Sequence, residues 1–172
     1  MPGVSYALEL LLDPGLEQRV RQAWDLLAAA GLPSQARHPH PTNRPHVTLT
    51  VADELDPAAI TPELGALPLP MDLDGVVVLG GRRRTVAWLV VPTAPLLRLH
   101  HGVHRAARVG PSGSPLLRPD CWVPHVTLAS RLDGEDAAAV VAALGALPAA
   151  SGTANAARAY DTLTRTTSKL SR

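Results

Sequence analysis

The chain has 172 residues and a formal net charge of +1, with 46% hydrophobic, 18% charged and 3% aromatic residues and no phenylalanine. That length builds one sizeable core and is short for two independent domains. The charge balance excludes a protein that holds duplex DNA by bulk electrostatics, and the scarcity of rings excludes an extended platform of stacked bases. No stretch reaches the roughly 18 apolar residues of a membrane span, and no basic, apolar leader follows Met1. The single cysteine, Cys121, has no internal disulfide partner, which fits a reducing cytoplasm.

In chain order, Ser5 to Leu12 alternates with period two and predicts a strand. Asp13-Pro14 then supplies an N-cap and a first-turn proline, Leu16, Val20, Trp24 and Leu27 recur at helical spacing, and Gly31 ends that helix. Pro33 to Pro45 holds four prolines with Arg37, His38, His40 and Arg44, and reads as a constrained basic loop. A strand follows from His46 to Val51, a short capped helix from Asp56-Pro57 to about Leu64, and a loop at Pro68 and Pro70. Met71–Leu79 and Thr85–Val91 read as strands joined by Gly80-Gly81-Arg82-Arg83-Arg84. Thr93 and Pro95 open a helix with an apolar stripe of Leu96, Leu99, Val103 and Ala107, up to Gly110. Pro111–Pro119 is a loop, Cys121–Ala129 a strand, and Ala137–Leu147 a helix capped by the Asp133-Gly134-Glu135-Asp136 run. A polar tail starts at Ser151, with an edge strand over Ala157–Arg165 and a disordered extreme C-terminus.

One pentapeptide occurs twice. Pro45-His46-Val47-Thr48-Leu49 returns as Pro124-His125-Val126-Thr127-Leu128, 79 residues on. On a strand, His and Thr two apart share a face while Val and Leu share the other, so each copy offers an imidazole and a hydroxyl together. The order strand, helix, loop, motif strand occurs over Ser5–Val51 and again over Thr85–Ala129, an architectural duplication whose halves share a cleft. Histidine titrates nearest neutrality, so two of them facing one substrate act as base and acid in one turnover, with hydroxyls beside a phosphoryl group's equatorial oxygens.

Two His-x-Thr motifs on strands about 80 residues apart resemble those of the 2H phosphoesterase superfamily, in particular its 2′-5′ RNA ligase-like, RNA 2′,3′-cyclic phosphodiesterase branch. The resemblance implies a bilobal, pseudo-twofold α/β (α+β) fold in which two antiparallel-rich sheets form a central cleft flanked by helices. It implies one domain, with lobes at about 1–70 and 71–150 and a C-terminal strand and tail over 151–172. It implies a metal-independent phosphodiesterase that opens the 2′,3′-cyclic phosphate of an RNA end or nucleotide to a 2′-phosphate, with ligation as the reverse reaction. His46 and His125 would be the catalytic pair, and Thr48 and Thr127 the phosphate holders. The order of acid and base stays open, with His125 as base and His46 as acid the working assignment. Many members carry an arginine five residues after the second motif histidine. Here that position is Ser130, and Arg131 falls on the other face unless a bulge intervenes.

Further substrate-binding candidates are Arg44, Arg131, Arg82, His38, His40 and Trp122. Core packing is favoured for Trp122, and a solvated turn is an equal reading of Arg82 to Arg84. His100, His101 and His104 invite a metal reading, but no acidic or cysteine ligand completes a set, so no metal or cofactor is assigned. The expected partner is RNA with a cyclic-phosphate end or a small cyclic nucleotide, acted on by a cytoplasmic monomer. The alternative is a non-catalytic nucleotide- or RNA-binding module with the same cleft.

Overall fold

The computed structural model describes residues 5–110, 114–145 and 147–170; the expectations for Met1, for the start of the Pro111–Pro119 loop and for the extreme C-terminus lie outside them. The elements are β1 (Tyr6–Leu12), α1 (Pro14–Ala29), β2 (His46–Ala52), α2 (Pro57–Ile60), β3 (Leu69–Leu79), β4 (Arg84–Val90), α3 (Ala94–Ala106), β5 (His125–Leu132), α4 (Gly134–Leu144), β6 (Ala150–Asp161) and β7 (Thr167–Lys169). The capping signals are used as side chains. Asp13 accepts from the Leu16 amide, Thr93 from Leu96 and Asp133 from Asp136, with Pro14 and Pro95 in the first turns of α1 and α3. The basic loop holds one 3₁₀ turn, Gln35–Arg37, and α2 runs on into 3₁₀ turns over Thr61–Ala66.

Every strand pair is antiparallel, in the order β1-β2-β5-β4-β3-β6-β7 with β1 also paired to β6. The first six strands therefore close a ring made of two sheets, β2-β1-β6 and β5-β4-β3. At one end the sheets are joined along Leu69–Leu73 with Ala150–Ala154. At the other they touch at a single residue pair, Val47 opposite Val126. The result is a mixed α+β fold whose two motif strands meet at one point and diverge from it.

The helices cross between the two repeats. α1 of the first packs on β5 of the second, and α3 of the second packs on β2 of the first; α4 lies beside α1 over β4 and β5. Leu16, Val20, Trp24 and Leu27 of α1, and Leu96, Leu99 and Val103 of α3, are the buried stripes that make this possible.

Three boundaries differ from expectation. β5 begins at His125 rather than Cys121, because the Cys121 amide closes a turn onto the Arg118 carbonyl and Pro124 has no N–H to give a ladder. β3 begins at Leu69 and contains Pro70, exposed and near the strand start, where a missing donor is tolerated. The largest difference is β6. It is no edge strand: it has 12 residues and pairs with β1, β3 and β7. Its alanine-rich sequence has low strand propensity, and ladders on both flanks supply what propensity does not.

Of the three helix histidines, His101 is exposed and the other two are absorbed by packing. His100 is fully buried, its ring stacked at 3.9 Å and 3° on Trp122, with Nε2 3.0 Å from the Leu117 carbonyl. His104 Nδ1 lies 3.1 Å from Thr50 Oγ1. Burial pushes His100 from 6.5 to about 4, against the opposing Leu117 hydrogen bond. The unfolded chain thus takes this proton near 6.5 and the folded chain only near 4. Stability is full above that window and falls by up to about 3 kcal/mol as pH drops through it. Urea midpoints measured from pH 7 to 4 should fall steeply in the wild type and less in His100→Gln, which keeps a donor for Leu117.

Candidate active site

Along each motif strand the alternation holds for four residues and then shifts. His46 and Thr48 are half-buried while Val47 and Leu49 are buried, and His125, Thr127, Val126 and Leu128 repeat this. The register then slips by one residue in both strands. Leu8 and Glu9 face Thr50 and Thr48, skipping Leu49, and Val86 and Ala87 face Ala129 and Thr127, skipping Leu128. Each motif leucine is thus a bulge, and Thr50 and Ala129 turn into the core beside it.

The two imidazoles are anchored alike. His46 Nδ1 lies 2.7 Å from the Arg44 carbonyl and His125 Nδ1 2.7 Å from the Val123 carbonyl. A carbonyl only accepts, so each Nδ1 donates and each Nε2 is the nitrogen left for the cleft. The single antiparallel pair Val47–Val126 sets His46 beside Thr127 and Thr48 beside His125. The surface reflects this crossing. His46 and Thr127 line a depression of about 210 Å³, and Thr48, Thr127 and His125 line its neighbour of about 410 Å³, whose walls include Leu79, Leu116 and Val123.

The backbone geometry is nearly symmetric, but the electrostatics are not. Burial pushes the His125 imidazole below the usual histidine range, opposed by its bond to Val123 and aided by the nearby His46. His46 instead has a carboxylate: Glu9 Oε1 is 3.4 Å from Nε2, while Glu9 Oε2 accepts from Arg158 Nε at 2.7 Å. Glu9 is 4% exposed and Arg158 9%.

Sequence reasoning missed Glu9 and Arg158. Glu9 looked like the polar beat of an alternating strand, and Arg158 lay in the presumed tail. The available signal was one charge of each sign placed mid-strand among apolar residues. It missed the two indoles as well: Trp24 Nε1 donates to the Thr127 carbonyl at 2.9 Å and Trp122 Nε1 to the Thr48 carbonyl at 3.1 Å.

The other candidates scatter. Arg44 lines the depression beside His46, with Nε 2.6 Å from Glu17 Oε2. His38, His40 and Arg131 line a separate depression. A second slip, where Arg84 and Val86 face Leu132 and Ala129, places Arg131 in a bulge at φ 62, and Ser130 rather than Arg131 lines the wall near His46. Arg82 is exposed in the β3–β4 turn and lines neither quartet depression. Trp122 is in the core, its face covered by His100, so it offers no stacking surface to a base. Among the described residues no three His, Cys, Asp or Glu side chains converge as a metal set.

Removing Arg158 alone strands a buried carboxylate. Arg158→Met should lower unfolding free energy in urea by about 3–5 kcal/mol, and the paired replacement Glu9→Leu/Arg158→Met should recover most of it.

The model of the 2′-5′ RNA ligase superfamily matches residues 12–164. Two solved structures of Kluyveromyces marxianus Usb1 are similar in fold, each 12% identical over 98% of this chain and 97% of theirs. One has a TM-score of 0.53; the other, solved with uridine monophosphate, has 0.49. No curated protein sequence matches the chain significantly.

Proposed function

The chain belongs to the 2′-5′ RNA ligase superfamily, and from that premise we propose that it is a phosphodiesterase opening the 2′,3′-cyclic phosphate of an RNA end or nucleotide to a 2′-phosphate. The observation that carries the reading is the paired anchoring of His46 and His125 through Nδ1, which leaves two Nε2 atoms and two threonine hydroxyls for one cleft.

In the proposed reaction His125, held neutral by burial, takes a proton from water through Nε2. The water oxygen bonds to phosphorus as the bond from phosphorus to the 3′ oxygen breaks in line. His46, carrying a proton on Nε2 beside Glu9, gives it to the departing 3′ oxygen. Thr48 and Thr127 donate to the non-bridging oxygens, where charge concentrates. At the end His125 is protonated and His46 neutral, and exchange with water restores the start. These residues account for every proton, so the reaction needs no metal.

The test is incubation, with EDTA present, with the four nucleoside 2′,3′-cyclic monophosphates and a short RNA ending in a cyclic phosphate. The expected product is a 2′-phosphate; no product from any substrate would favour a binding module. His46→Ala and His125→Ala should each cut turnover by about 10²-fold or more in a folded protein. Thr48→Val or Thr127→Val should lower kcat more than it raises KM. Because His125 is shifted downward, the acid limb of kcat/KM should lie below pH 6.5, where His125 gains its proton; an acid limb above pH 6.5 would contradict its role as base.

A further inference from the structure

The depressions around the quartet share lining residues. The one beside His46 shares Gln35 and Ser130 with a second, lined also by Arg37 and His38. That one shares His38 and Pro39 with a third of about 530 Å³, which adds His40, Arg131, Tyr160 and Arg165. A row of adjoining depressions therefore leads from a proposed catalytic histidine to a group of basic side chains, a surface track with no carboxylate among the residues lining its far end.

Two arginines there are uncommitted. Arg21, Arg44, Arg105, Arg108 and Arg158 each pair with a carboxylate, whereas among the described residues Arg131 and Arg165 pair with none. The acids nearest them in sequence are occupied: Asp133 caps α4 through the Asp136 amide, and Asp161 accepts from the Leu163 and Thr164 amides. Arg131 and Arg165 are also the non-glycine residues with positive φ among those described, at 62° and 57°. One sits in the bulge of β5 and the other in the turn before β7, and the two strand ends bring them to one depression. A second exit, past Arg44, Arg158 and Lys169, has both guanidiniums engaged by Glu17 and Glu9, which makes it the weaker anion site.

We propose that single-stranded RNA runs from the quartet along this track and places an internucleotide phosphate, upstream of its reacting end, between Arg131 and Arg165. The half-buried Tyr160 then offers a ring to the adjacent base. This rests on the cyclic phosphodiesterase reading and deepens it: the preferred substrate is an oligonucleotide end, not a free cyclic nucleotide. A chain of net charge +1 then holds RNA with a few placed cations instead of a bulk field.

The test compares kcat/KM for uridine 2′,3′-cyclic monophosphate with that for a six-nucleotide RNA ending in the same group. The wild type should favour the oligonucleotide about tenfold or more, and Arg131→Gln/Arg165→Gln should bring the ratio close to one. Arg98→Gln, which removes one charge from the exposed side of α3, should leave the ratio intact. The log–log salt slope of the oligonucleotide's kcat/KM should shrink by about 0.7 in the double variant, the loss of one phosphate contact. A wild-type ratio near one, or a ratio untouched by the double substitution, overturns the track while leaving the proposed reaction standing. If neither substrate turns over, the proposed reaction fails. Fluorescence anisotropy with a labelled six-nucleotide RNA then decides the track alone: weaker binding in the double variant supports it, and equal binding overturns it.

Discussion

The two motif strands meet at one ladder position, Val47 opposite Val126, and the rest of the site is arranged around that narrow contact. A longer ladder would hold the strands flat against each other and close the space between their histidines and threonines. With one pair, the strands diverge, and backbone groups beyond it must find other partners. The indole N–H groups of Trp24 and Trp122 supply them at the carbonyls of Thr127 and Thr48. Each threonine whose hydroxyl is aimed at the cleft is thus fixed from behind by a side chain of the other repeat. Because α1 packs on β5 and α3 on β2, neither repeat completes its own half of the site, and the quartet assembles only when both have folded.

Near-symmetry of the backbone does not make the imidazoles equivalent, and acid–base chemistry requires that they differ. Desolvation of His125 shifts one ring toward the neutral form; the other ring has the Glu9 carboxylate 3.4 Å from its Nε2. A buried carboxylate is an expensive neighbour, and Arg158 makes it tolerable by binding its second oxygen. The pair therefore serves the proposed chemistry more than the stability of the fold, since an apolar pair of similar volume would serve the sheet as well.

Much of this was legible in the chain. Asp13-Pro14 and Thr93 ahead of Pro95 announced their helices because a cap is a local hydrogen bond written by adjacent residues. The doubled pentapeptide announced the cleft because strand alternation sorts His and Thr from Val and Leu with no help from the fold. What stayed hidden depends on partners far away. The slips at Leu49, Leu128 and Arg131 exist only relative to β1 and β4, and no residue type marks them. Ser130, and not Arg131, therefore came to lie near His46, although counting from the motif suggested a missing arginine. Ala154 looked like tail, and Ala157 and Ala159 like an edge strand, because their strand is made by its neighbours.

That misread strand completes the sheet of the first repeat. The repeats account for the quartet and for its twofold character: β1 and β2 with α1, β4 and β5 with α3. β6 follows both in the chain, closes the ring between β1 and β3, and takes the place beside β1 that β3 takes beside β4. It carries Arg158, which holds Glu9 at His46, and Tyr160, which lines the basic depression with Arg131 and Arg165. A symmetric pair of histidines has no preferred direction for proton transfer and no preferred side for a polymer to leave. Side chains of β6, which pairs with both β1 and β3, supply a physical basis for both choices in the proposed reaction.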